Sequence, residues 1–191
     1  MHGLLVAGIA MNAHSDSRNL AALEPDFRAA VEKLLAACDQ RGAILKPFFT
    51  VRGPGVQAKL WCQSRTAAQI SAQKSALTQA GAGWLAGLLD VRWAGTGPQV
   101  TNALPGLSWH QWGEAIDCYV EGERKEAIWN VRHAGYRIYA EEAKRLGLEA
   151  GALWTRFPDA VHVQWRAEGS PLRTGMSWAQ IDAAMRKKFS S

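Results

Sequence analysis

The chain of 191 residues is poor in cysteine, and its three cysteines, Cys38, Cys62 and Cys118, form no C-x-x-C pair. An odd, widely spaced set excludes a disulfide framework, and reduced thiols are expected. No apolar run reaches the ~20 residues that a membrane-spanning helix needs, so stable membrane insertion is not expected. The apolar stretch "GLLVAGIAMNA" near the start has no Lys or Arg before it. It reads as packed chain rather than as a secretory signal. The sequence also lacks internal repeats, low-complexity tracts, linkers and any nucleic-acid-binding motif. Acidic residues are outnumbered, 17 against 22 basic ones, which leaves a net charge of +5 and a pI near 9.3. That balance suits an anionic partner such as a nucleic acid, a membrane or a cell-wall polymer. The basic residues are scattered, and the densest run is "RKK" at 186–188.

Tryptophan is plentiful: nine residues against five Phe and three Tyr. Tryptophan-rich surfaces bind sugars and flat ligands, although core packing accounts for most single tryptophans. Helical spacing runs through "EPDFRAAVEKLLAACDQRG", with Pro25 in the first turn, Phe27, Val31, Leu34 and Leu35 on one side, and Gly42 at the end. An extended "AILKPFFTVRG" leads into a Gly-Pro-Gly turn, and "VQAKLWCQSR" reads as a short helix. Capping boxes are expected at Thr66 with Gln69 and at Ser177 with Gln180. "WLAGLLDVRWAGTGPQ" reads as a loop-rich connector, and "KEAIWNVRHAGYRIYAEEAKRLG" as one long helix. The economical organisation is one α+β domain over residues 1–191.

Two segments place polar groups in apolar surroundings. In "AIDCYV", strand alternation puts Ile116, Cys118 and Val120 on one face and Ala115, Asp117 and Tyr119 on the other. In "AVHVQW", Val161, Val163 and Trp165 take one face and Ala160, His162 and Gln164 the other. Pairing of these strands lets Asp117 and His162 lie side by side, and His110 arrives from the loop just before the first strand, in "SWHQWGEAID". Two histidines and an aspartate match the three protein ligands of a catalytic zinc site, which keeps a fourth position for water. Asp159 lies three residues before His162. In a regular strand it faces away from His162, so a role beside it requires a turn after Pro158. Each residue has an ordinary alternative: Asp117 as a strand-end cap, Glu114 as a solvated carboxylate, Gly113 as a turn, Trp109 and Trp112 as core or as groove lining. His2, His14 and His133 have no ligand-type neighbour at a useful spacing and receive no role.

Four elements in order carry a resemblance. "SWHQWGEAID" resembles S-x-H-x-x-G-x-A-x-D, "DAVH" resembles the acid-x-x-H pattern, "TVRGPGVQ" resembles T-x-R-x(4)-Q, and "GLEAGALW" resembles G-L-x-x-G-x-x-W. Together they resemble the zinc D-alanyl-D-alanine carboxypeptidase and L-alanyl-D-glutamate endopeptidase family, whose fold is shared with the hedgehog signalling domain. The resemblance spans about Leu20 to Trp165. It implies an α+β fold with a small antiparallel sheet carrying the zinc site, flanked by helices. It implies one Zn2+ per chain on His110, Asp117 and His162, with Asp159 as general base. Arg52 is implied to bind substrate and stabilise the oxyanion, Gln57 and Ser108 to support the site, and Trp154 to form a wall. Relative to compact members, the stretch around 66–99 reads as an insertion, either a wall of the groove or a surface excursion.

The expected function is hydrolysis of peptidoglycan stem peptides, with L-alanyl-D-glutamate endopeptidase (endolysin-like) first and D-alanyl-D-alanine carboxypeptidase as the alternative. From other classes come a zinc-containing binding module without turnover, a cysteine peptidase built on Cys118, and a muramidase built on Glu114 and Asp117. The last leaves the histidines unexplained. The expected setting is a monomer made in the cytoplasm that acts on the cell wall after release or delivery.

Overall fold

The computed structural model describes residue 12 and residues 16–190. Apart from Asn12, the apolar N-terminal stretch lies outside the described residues, as do His2 and His14. Helix α1 (Pro25–Gln40) starts on a proline, whose missing N–H is not needed in a first turn. It buries Phe27, Val31, Leu34 and Cys38 along one stripe. Strand β1 (Leu45–Phe49) follows. The Gly-Pro-Gly segment is itself the start of helix α2 (Pro54–Cys62), with Gly53 as N-cap. Helices α3 (Ala67–Gln79) and α7 (Trp178–Phe189) both open with the expected capping boxes.

Two further segments differ from the reading of the sequence. The connector after Gly83 holds a helix, α4 (Gly83–Leu88), which buries Leu85 and Ala86, and then a 3-10 turn over Val91–Trp93. The long helix expected over 125–147 is shorter, because Ala127–Ile128 forms strand β3 against Val120 and Glu121 of strand β2 (Ala115–Glu121). Helix α6 (Ala134–Arg145) begins only after His133, whose ring nitrogen accepts from Gly135 N–H. Cross-strand pairing and this cap override the helical propensity of the preceding residues.

The sheet is antiparallel throughout. Its order is β1, β2, β5 (His162–Gln164), β4 (Glu149–Ala150), with β3 also on β2. One face is closed: Ile116, Cys118 and Val120 pack with Phe27, Val31 and Leu34 of α1 and with Tyr136 and Tyr139 of α6. Each large apolar side chain buried in this way contributes about 1.5–3 kcal/mol, so the sheet is anchored from one side and its other face is free to carry polar groups. A second apolar cluster joins α2, α3, α4 and α7 through residues such as Trp61, Ile70, Leu85 and Ile181. A short helix, α5 (Trp109–Trp112), ends at Gly113 with φ 78°. A Cβ at Gly113 would stand 3.1 Å from Glu24 N, where the chain docks the start of α1 onto the end of α5.

Candidate metal centre and its cleft

The register of β2 and β5 places Asp117 directly opposite His162. His110 reaches the same point from α5 rather than from a loop. His162 Nδ1 lies 2.9 Å and His110 Nε2 3.1 Å from Asp117 Oδ1. All three residues are buried, and one donor atom from each lies within 4.8 Å of the others.

The outer nitrogens fix the rings. His110 Nδ1 is 3.2 Å from the carbonyl oxygen of Thr50, which can only accept, so Nδ1 carries the hydrogen. His162 Nε2 is 3.1 Å from Gln164 Oε1. The Gln164 amide cannot be reversed, because its Nε2 donates to the carbonyl oxygens of Arg166 and Glu168. His162 Nε2 therefore carries a hydrogen too. In their neutral forms both rings direct bare nitrogen lone pairs toward the Asp117 carboxylate. Such a convergence of lone pairs calls for a cation, and the outer hydrogen bonds are those that orient metal-ligating histidines. The donor set thus fits a metal ion.

The three groups are electrostatically coupled. Burial lowers the pKa of His110 and outweighs the attraction of Asp117. Burial also disfavours protonated His162, but there the hydrogen bond and charge of Asp117 prevail and raise its pKa. Burial works against the Asp117 carboxylate, yet the two histidines hold its pKa well below the usual carboxylate range.

Arg52 joins the cluster from the segment after β1. Its Nη2 donates to Asp117 Oδ2 at 3.3 Å, its Nη1 donates to Gln57 Oε1 at 3.2 Å, and its guanidinium carbon stands 4.7 Å from the Phe49 ring centre. Its Nε is buried without a hydrogen-bond partner among the described residues. Gln57 is fully buried and donates from Nε2 to Thr101 Oγ1 (3.0 Å) and to Ala103 O (2.8 Å). It ties Arg52 to the wall formed by residues 101–103.

Asp159 sits in the turn that the sequence required: His162 N–H donates to Asp159 O at 3.3 Å, and β5 starts only at His162. The expected six-residue strand is shortened by this turn. Gly151 makes the turn possible, since a Cβ there would lie 2.5 Å from Asp159 O. Asp159 is at the rim of the cleft, where desolvation by its surroundings and then the Asp117 charge raise its pKa. The Trp154 ring stands 5.2 Å from that of His162. Ser108 is the N-cap residue of α5, lines the cleft and makes no side-chain capping bond.

Apart from the buried Gln57, these groups share one cleft of about 1060 Å³. Its walls include residues that the sequence did not single out for the site: Phe49, Gln99, Arg156, Phe157 and Arg173. No local signal marks them, because they come from separate elements. Gln164 had a signal, being two residues from His162 on the same strand face. Within 66–99, Gln99 alone lines the cleft, whereas Ile70, Leu77 and Leu85 belong to the second apolar cluster. Trp109 is both buried and cleft-lining, and its Nε1 donates to Glu168 O at 2.6 Å. Trp112 packs in the second cluster. Cys118 points into the core, and burial pushes its thiol up to about 12, which disables it as a nucleophile. Glu114 is ion-paired with Arg166 at 2.6 Å.

The family profile of the VanY D-alanyl-D-alanine carboxypeptidases matches residues 20–153. The chain belongs to this family. The VanY match includes Arg52, Gln57, Ser108, His110 and Asp117 and stops before Trp154, Asp159 and His162. Over 72 residues the chain is 35% identical to the peptidoglycan L-alanyl-D-glutamate endopeptidase CwlK of Bacillus subtilis (strain 168). That match covers 34% of this chain and 43% of CwlK, less than half of the relative's length. The crystal structure of the Serratia marcescens L-Ala D-Glu endopeptidase ChiX aligns with 85% of this chain and 94% of its own at 16% identity, with a TM-score of 0.41.

Proposed function

We propose that the protein is a zinc peptidase of peptidoglycan stem peptides that cuts the L-Ala–D-Glu bond. The observation that carries this reading is the buried convergence of His110, Asp117 and His162, each ring locked by an outer hydrogen bond. When bound there, one zinc per chain supplies a Lewis acid and an acidified water.

The chain's own groups divide the remaining work. Asp159 is, with Asp117, one of two carboxylates among the described residues that line the cleft. It stands outside the three-donor cluster and takes the proton from the attacking water, then returns it to the leaving amine. Arg52 meets the negative charge that grows on the carbonyl oxygen, held in place by Asp117, Gln57 and the Phe49 ring. Trp154 walls the cleft beside His162, and Ser108 lines it at the start of α5.

Endopeptidase activity is favoured over carboxypeptidase activity by the likeness to CwlK and by the volume of the cleft, which accommodates several residues of peptide. The paired placement of Asp159 and Arg52 favours turnover over a binding module. We read the protein as a monomer that acts on the cell wall after release or delivery, and residues 66–99 as an addition to the compact peptidase unit.

The test is mass spectrometry of purified peptidoglycan digested with and without a chelator. New chelator-sensitive termini at L-Ala and D-Glu are expected. Loss of a terminal D-Ala alone makes the protein a carboxypeptidase, and intact stem peptides from zinc-loaded protein remove the peptidase reading.

A further inference from the structure

The site-bearing face of the sheet continues past Asp117 as a strip of aromatic rings. A bulge in β1 starts it: Pro47 pairs with Cys118, but Phe49, not Phe48, pairs with Asp117. In a regular strand, consecutive residues point to opposite faces. Here the ring centres of Phe48 and Phe49 are 4.3 Å apart, so the bulge has brought both to one side. Phe48 touches Trp129 at 4.9 Å, and Trp129 touches Tyr119 at 5.5 Å. Alternation places Tyr119 on the face of Asp117. Trp129 follows Ile128, the partner of core-facing Val120, and so emerges on that same face. The strip begins inside the cleft, since Phe49 lines it.

Phe48, Phe49 and Tyr119 are each half-buried, and Trp129 is the exposed ring of the four. Trp129 is 48% exposed, although the apolar clusters of the molecule bury most of its large side chains. Guanidinium groups lie over two of the rings, Arg18 over Phe48 at 5.1 Å and Arg52 over Phe49 at 4.7 Å, and Lys46, the cross-strand partner of Tyr119, pairs with Glu121 at 3.7 Å. The exposed Trp129 ring, set edge-on to Phe48 and tilted against Tyr119 with polar side chains nearby, suits a pyranose ring, whose C–H face is apolar and whose edge carries hydroxyl and amide groups.

We infer that the strip formed by Phe48, Phe49, Tyr119 and Trp129 is a saccharide subsite, which holds the N-acetylhexosamine ring next to the stem peptide. The inference rests on the peptidoglycan reading and deepens it. In peptidoglycan the L-Ala is joined through a lactyl group to N-acetylmuramic acid. The sugar therefore lies about two residue lengths, or ~7 Å, from an L-Ala–D-Glu bond. Phe49 pairs across the strands with Asp117, one of the three donors, and its ring stands 4.7 Å from the Arg52 guanidinium that bonds Asp117. For a D-Ala–D-Ala bond the sugar is about four or five residue lengths away, ~15 Å in an extended peptide, roughly twice as far.

The test uses two measurements on the full chain. In the first, a peptide-free glycan strand of alternating N-acetylglucosamine and N-acetylmuramic acid is titrated in, and binding is followed by tryptophan fluorescence and NMR shifts. The wild type is expected to bind it, and Trp129→Ala to bind about tenfold more weakly. In the second, kcat/KM is compared for a disaccharide-bearing stem peptide and for the same peptide without sugar. The wild type is expected to prefer the glycosylated substrate by about tenfold, chiefly through KM, and Trp129→Ala to bring the ratio toward one. Trp129→Gln, with a polar side chain at a half-exposed position, replaces the alanine variant if that one misfolds. Glycan binding without cleavage of either peptide supports the subsite and removes the peptidase reading. Cleavage with no glycan binding and a ratio near one in the wild type overturns the subsite and leaves the peptidase reading standing. A wild-type dimer that Trp129→Ala dissolves, with no glycan binding, overturns it in favour of self-association through the strip.

Discussion

His162 and Asp117 face each other across two antiparallel strands, and Nδ1 of the histidine lies 2.9 Å from Oδ1 of the aspartate. Around this contact, His110 and Arg52 approach the same carboxylate, so Asp117 is the meeting point of the site.

Removing that meeting point should cost both metal and stability. Asp117→Ala is expected to bind close to no zinc by elemental analysis, against about one per chain in the wild type. It should also be destabilised by about 3–5 kcal/mol, because Arg52 loses a buried partner. Chelation of the wild type should abolish activity, with zinc restoring it. Full activity in a metal-stripped sample would rule out the zinc mechanism.

Asp159→Asn separates the base from the ligands. Turnover should fall by about 10²–10⁴-fold with bound zinc unchanged. If this variant loses its metal as Asp117→Ala does, the assignment of Asp159 as base is wrong.

Gln57 acts through Arg52, to which its Oε1 is bonded at 3.2 Å. Arg52→Lys should lower kcat by about 10²–10³-fold, since an ammonium cannot span Asp117 and Gln57 together. Gln57→Ala should give a smaller loss, about tenfold, and the double variant should be no worse than Arg52→Lys alone. Additive losses in a double-mutant cycle would show that Gln57 has a role apart from Arg52.

Gln164 holds His162 through Nε2. Gln164→Leu removes the acceptor while keeping the side chain's bulk. Zinc affinity in a competitive chelator titration is expected to drop about 10–100-fold. Unchanged affinity would mean that strand pairing alone orients the ring.

On the far side of the molecule, Glu142 is bound by Arg145 at 2.7 Å and by Arg41 at 2.8 Å, and these bonds lower its pKa from 4.5. A depressed folded-state pKa gives stability that is present above the unfolded value and lost as pH falls through the folded value. The melting temperature of Glu142→Gln should therefore lie below that of the wild type at neutral pH, and the gap should close in acid. A gap independent of pH would point to packing rather than charge.

The sequence by itself determined the local rules: a proline at the start of α1, capping boxes at Thr66 and Ser177, and an apolar side of β2 opposite Asp117. Alternation also put His162 and Gln164 on one strand face, and showed that Asp159 can act beside His162 only from a turn. These features rest on periods of a few residues and on single-residue backbone preferences, which act within a short stretch of chain. Where local signals compete, as in 125–133, the sequence favoured a helix and the structure chose a strand, because β2 supplied an edge for pairing. Tertiary structure alone decided that β2 and β5 meet in the register Asp117 to His162, that Gln57 reaches Arg52, and that the bulge between Pro47 and Phe49 turns two phenylalanines to one face. Those relationships depend on which distant elements pack together, and packing free energy is summed over the whole core rather than written at any one position.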